Sequence, residues 1–233
     1  MVLPLVLLLS GCELATRAVL DVGDDGSGSV AVEVRMDEGL LTALDELEID
    51  PTAELTAVVA EDPAWRLERE ARGEGLALRA VRDDVDDPAA ALAELADGLS
   101  DEDPGLLIDL EVDVDGDGRV EVQGSAQLRG PVAPGVVDDE GEPVGPDRAE
   151  LQELTAAHVT AELEVSLPGR VVGHDADQAD GATMRWSLPP DAVVPVRAVA
   201  MPHTIPPEVL WVGGGALALA AVAAGVAIAL RRR

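Results

Sequence analysis

The sequence predicts an α+β domain: an antiparallel β-sheet with two to three helices on one face, followed by one C-terminal transmembrane helix. Three observations predict it. Apolar and polar residues alternate along several separate stretches, the pattern of strands with one covered and one wet face. Leucines recur at helical spacing in a few short segments between those stretches. Near the C-terminus, Leu210 to Leu230 carries no charge and is followed by Arg231, Arg232 and Arg233.

The strands follow in order. Val30, Val32, Val34 and Met36 alternate with Ala31, Glu33 and Arg35. Asp24-Asp25-Gly26-Ser27-Gly28 is turn chemistry that joins this strand to one near Val19–Val22. Trp65–Arg69 and Leu76–Val81 read as a hairpin around Gly73 and Gly75. Ile108, Leu110, Val112 and Val114 alternate with acidic residues, and Val120 to Leu128 continues the alternation after Asp115-Gly116-Asp117-Gly118. Val159, Ala161, Leu163, Val165 and Leu167 form the most regular set, closed by Pro168-Gly169. Met184-Trp186-Leu188 and Val194-Val196-Ala198-Ala200 complete the strands.

Helices are fewer. Leu40, Leu41, Leu44 and Leu47 lie on one helical face that ends before Pro51, and Leu55, Val58 and Val59 continue the pattern in a second, shorter helix. Asp87-Pro88 is a start signal for a helix carrying Leu92, Leu95 and Leu99. Residues 131–147 are rich in Pro, Gly and acids and read as a mobile loop.

The two ends point to a membrane. Val2 to Leu9 is an apolar run, and Leu9-Ser10-Gly11-Cys12 is similar to the lipobox of bacterial lipoproteins. That similarity implies a signal peptide over 1–11 and a diacylglyceryl group on Cys12; the alternative is a free cysteine behind an ordinary signal peptide. Leu210 to Leu230 spans about 31 Å as a helix, enough to cross the hydrocarbon core. The arginines after it put residues 231–233 in the cytoplasm by the positive-inside rule. The expected division is therefore an extracytoplasmic domain over 12–205, a span over 209–230 and a short cytoplasmic tail. The short tethers, Cys12 to Val19 and Ala200 to Leu210, predict that both ends of the domain lie against the bilayer.

Charge narrows the function classes. The chain carries 46 acidic and 16 basic residues, a net charge of −30, and every basic residue is Arg. Such a surface lacks the cations that a phosphate backbone requires, so no nucleic-acid partner is expected. There is no Phe or Tyr, and Trp65, Trp186 and Trp211 are the aromatic residues, so Val, Leu and Ala must fill the core. With Cys12 alone, no intramolecular disulfide forms.

The lipobox, the Asp/Gly-rich hairpin after it, the helices between strands and the C-terminal span together resemble the LppM-type lipoproteins of actinobacteria. The sharpest likeness lies in Leu163-Glu164-Val165-Ser166-Leu167-Pro168-Gly169-Arg170-Val171, followed by Gly181-Ala182-Thr183-Met184-Arg185-Trp186-Ser187-Leu188. The resemblance implies an α+β envelope domain with a lipid- or glycolipid-binding role. It brings no catalytic residues, and the scarcity of aromatics departs from it.

Two acidic segments compete with blander readings. Asp113-Val114-Asp115-Gly116-Asp117-Gly118 resembles the start of an EF-hand calcium loop, but position twelve is Gly124 and both flanks alternate as strands, so a hairpin turn is expected. His174-Asp175-Ala176-Asp177 has metal-ligand residue types in a Gly- and Asp-rich stretch, where a solvated loop is expected. No Gly-x-Ser-x-Gly, His-Glu-x-x-His or phosphate-binding glycine loop is present. The expected protein is therefore not an enzyme and uses no cofactor or metal. It is a membrane-anchored envelope lipoprotein whose domain binds or presents a lipid or glycolipid. The alternative is a structural or assembly factor that binds another envelope protein.

Overall fold

The computed structural model describes residues 13–46, 50, 52–73, 75–99, 105–129 and 157–202. Cys12, the loop over 131–147 and the stretch 209–230 lie outside the described residues. Among those described are eleven strands and three helices. The order is β1 (Leu14–Val22), β2 (Gly28–Met36), α1 (Glu38–Glu46), α2 (Ala53–Glu61), β3 (Arg66–Arg72), β4 (Gly75–Val85), α3 (Pro88–Gly98), β5 (Leu106–Val114), β6 (Val120–Leu128), β7 (Val159–Ser166), β8 (Arg170–His174), β9 (Gln178–Asp180), β10 (Thr183–Ser187) and β11 (Val193–Met201).

The predicted fold class needs correction. The strands form two sheets, not one: a seven-stranded sheet ordered β3-β4-β2-β1-β7-β10-β9 and a four-stranded sheet ordered β5-β6-β11-β8. The larger sheet is mixed, because β1 and β7 run parallel, with Leu14 opposite Val159 and Leu20 opposite Val165. The physical reason is that a parallel neighbour is reached through a long connection, so no turn signal marks it. Strand also outweighs helix more than the sequence reading allowed. Nor is the predicted transmembrane helix supported: among the described residues, no helix is long and apolar enough to cross a membrane.

The local reading of the elements holds well. The alternating sets fall on β2, β5, β6, β7, β10 and β11, with boundaries moved by a residue or two. Asp87 caps α3 by accepting a bond from the Ala90 N–H at 3.0 Å, with Pro88 in the first turn. The short edge elements β8 and β9 escaped the sequence reading, since neither is long enough to show alternation.

One contiguous core lies between the two sheets and α3. From the large sheet come Leu20, Val32, Leu78, Leu163, Val165, Met184 and Trp186; from the small sheet come Val120, Val122 and Ala198; from α3 come Leu92 and Leu95. Each buried aliphatic side chain of this size contributes roughly 1.5–3 kcal/mol. Small residues permit close approach. On β6, Gly124 has φ +147, and a Cβ there would collide with the Asp109 carbonyl of β5.

β1 runs about 26 Å along the large sheet over its nine residues. One end, here called the near end, holds Glu13, Asp37 and the β3–β4 turn, because Leu14 pairs with Met36 and Met36 with Leu76. The far end holds the β1–β2 turn, where Gly26 packs beside Val114 of the small sheet. Pro202 lies beside Gly118 and Gly169, both at the far end. Glu13 and Pro202 therefore sit at opposite ends of the strands, whereas the short tethers had predicted both ends beside one surface.

Candidate functional site

The near end is built by three strand termini and one helix start. Leu14, Met36 and Leu76 lie in register across β1, β2 and β4. Asp37 follows β2 directly and opens α1. One of its carboxylate oxygens accepts the Leu40 N–H at 2.8 Å, an N-cap bond. The other accepts the Glu13 N–H at 2.7 Å. The Asp37 N–H returns a bond to the Glu13 carbonyl at 3.2 Å. One side chain thus holds both a helix start and the residue that follows Cys12.

Beside this clamp opens a depression of about 480 Å³. It is lined by Ala15, Met36, Leu76 and Ala77 together with the charged Glu13, Arg35, Asp37 and Glu38, and Arg35 stands in register between Ala15 and Ala77. The size lies within the range of small-molecule sites. Arg35 donates to Glu33 at 2.6 Å, and that bond raises the guanidinium pKa further above its ordinary value.

The outer face of the large sheet carries a continuous row of charges. Glu68, Arg79, Glu33, Arg17 and Glu162 stand in one cross-strand row over β3, β4, β2, β1 and β7. Arg17 reaches Glu162 at 3.0 Å and Glu164 at 3.8 Å, and Arg185 reaches Glu164 at 2.7 Å. A second depression of about 390 Å³ lies over Arg17, Glu33, Glu68 and Arg79. Cross-strand opposite charges are a favourable arrangement on a wet sheet face.

Both acidic segments have structural work. The Asp113–Gly118 stretch is the β5–β6 hairpin turn: Asp115 Oδ1 accepts the N–H groups of Asp117 and Arg119, each at 2.9 Å. The His174–Asp177 stretch joins the two sheets. Asp175 Oδ1 accepts the Trp186 indole N–H at 2.9 Å from β10 and the Arg197 N–H at 2.8 Å from β11. Asp177 accepts the Ser187 N–H at 2.8 Å. Among the described residues no group of three or more His, Cys, Asp and Glu is placed to hold a metal ion. Cys12, the predicted lipid-attachment residue, lies outside the described residues; its neighbour Glu13 is the first of them. Sequence reasoning passed over Asp37. Asp before Glu-Gly-Leu-Leu is an N-cap signal, but its bond to Glu13 is visible only in the fold.

Fold and site together define a strand-rich, two-sheet domain with a shallow, partly charged depression at one end of its larger sheet. A model of the LppM domain family matches residues 48–201, and the chain belongs to that family. It is similar to the NMR structure of the folded domain of LppM from Mycobacterium tuberculosis at 17% identity, covering 82% of this chain and 91% of that one, with a TM-score of 0.44. No curated protein matches the chain. Membership of a lipoprotein family goes with association with a membrane.

Proposed function

We propose that this protein is an envelope lipoprotein, acylated on Cys12 and held on the extracytoplasmic side of the cell membrane, whose domain binds or presents a lipid or glycolipid at its near end. One observation carries the reading: a depression lined in part by apolar residues opens beside Glu13, one residue from the proposed acylation point. An acyl chain entering from the bilayer would meet Ala15, Met36, Leu76 and Ala77, while Arg35, in register between Ala15 and Ala77, suits a polar headgroup.

Intact mass spectrometry of the membrane-extracted chain tests the anchor. The expected mass is that of a chain beginning at Cys12 with a diacylglyceryl group. Organic extraction of the same material followed by lipid mass spectrometry tests the ligand. The Ala15→Glu variant replaces an apolar lining residue of the depression by a charge and is expected to lower bound lipid at least tenfold. Equal lipid in variant and wild type would refute the site.

A second reading, a structural or assembly factor for another envelope protein, is favoured by a different observation. Val172, Val193 and Met201 are 50%, 63% and 42% exposed on β8 and β11 of the small sheet. Charged replacements there would weaken a protein partner and leave bound lipid unchanged.

A further inference from the structure

β1 starts at Leu14, and Glu13 before it is already held through its N–H and its carbonyl by Asp37. Consecutive Cα atoms are about 3.8 Å apart, so Cys12 begins within one residue of a fixed point in the fold. From this geometry we infer that the near end of the large sheet is a bilayer-contacting surface and that Asp37 is the residue that sets it there. The inference rests on the acylation of Cys12 proposed above. An acyl group carried so close to the first strand leaves no slack for the domain to turn over. The Glu13–Asp37 corner and the β3–β4 turn meet phospholipid headgroups, and the β1–β2 turn stands off by about the length of β1, ~26 Å.

The charge of the chain makes the clamp matter. A net charge of −30 repels anionic headgroups. A domain on a loose tether would drift beyond the Debye length, about 8–10 Å, and lose contact with the surface. Releasing Glu13 frees Glu13 and Cys12 together, roughly 7 Å of chain. That is nearly one Debye length, so the effect should be graded and sensitive to anionic lipid.

The full acylated chain, reconstituted in vesicles, tests this. A fluorophore is placed on a cysteine introduced at the exposed near-end residue Ala71 or at the exposed far-end residue Asp24, and quenching by nitroxide-labelled phospholipid is read. In the otherwise native chain the Ala71 label is expected to be quenched at least threefold more than the Asp24 label, with little change as anionic lipid rises from none to a third. Asp37→Asn retains an oxygen that caps α1 but turns an amide N–H₂ toward the Glu13 N–H. It is expected to reduce the contrast, and further as anionic lipid is added. A twenty-residue Gly/Ser insertion between Cys12 and Glu13, which leaves every residue of the fold in place, is expected to abolish it. Equal quenching of the two labels in the native chain overturns the inference, as does a contrast that survives the insertion. A mass showing Cys12 without its acyl group overturns the anchor reading and this inference with it; an acylated chain with equal quenching overturns this inference alone.

Discussion

The two faces of the seven-stranded sheet are made by alternate residues of the same strands, yet they differ in almost every physical respect. The inner face carries Leu20, Val32, Leu78, Leu163 and Trp186, each no more than 1% exposed. The outer face carries Arg17, Glu33, Glu68, Arg79 and Glu162 in one row of alternating sign. Burial at the inner face is worth kilocalories per side chain, whereas partly exposed ion pairs are worth about 0.2–1 kcal/mol each. The comparison teaches that this very acidic protein draws its stability from an almost purely aliphatic interior. Its outer pairs serve to let the arginines neutralise local carboxylates. Among the described residues, no buried side-chain polar atom lacks a hydrogen-bond partner, so the interior bears little electrostatic cost.

The contrast is sharpest at Trp186. Trp186→Ala empties the largest fully buried position and removes the indole bond that ties β10 to Asp175. Urea denaturation should show a loss of about 3–5 kcal/mol. Trp186→Phe keeps most of the volume and should lose much less, because Asp175 still accepts the Arg197 N–H.

Two consecutive residues set the faces against each other. Leu163→Ala on the inner face should cost about 2–5 kcal/mol. Glu162→Ala on the outer face should cost under ~1 kcal/mol, since Arg17 retains Glu164 at 3.8 Å. Repeating both in 1 M salt sharpens the test: the small Glu162 effect should shrink and the Leu163 effect should persist. Equal losses in the two variants would break the comparison.

The smallest effect is expected at the β1–β2 turn, which belongs to neither face. Asp25 accepts the Ser27 hydroxyl at 2.6 Å and the Ser27 N–H at 3.1 Å, and these bonds lower its carboxyl pKa below the ordinary 3.8. A lowered folded pKa adds stability that is present above 3.8 and is lost as the pH falls through the folded value. Asp25→Asn should therefore be slightly less stable than wild type at neutral pH, and thermal melts at a pH well below the ordinary 3.8 should bring the two together.

Much of this was legible beforehand because alternation is a local property. Val159 to Leu167 shows which residues turn inward whatever covers them. Asp87-Pro88 marks a helix start through one capping bond and one missing donor. The Asp115–Gly118 hairpin follows from turn chemistry within a few residues. Of the candidate site, the sequence offered only its approach, Cys12 and the start of β1. Met36 and Leu76 are forty residues apart in the chain, and their meeting depends on the β2–β4 pairing.

By itself, then, the sequence determined the faces, the hairpins, the aliphatic character of the core and the family. The tertiary structure decided which strand lies beside which. Period-two alternation specifies a covered side but not its cover. The parallel pairing of β1 with β7, across 145 residues between Arg17 and Glu162, is chosen by how all the inner faces fit at once. The same holds for the division into two sheets, for Asp175 joining them and for Asp37 holding Glu13. Each brings distant parts of the chain together, and such pairings leave no periodic trace in either partner's sequence.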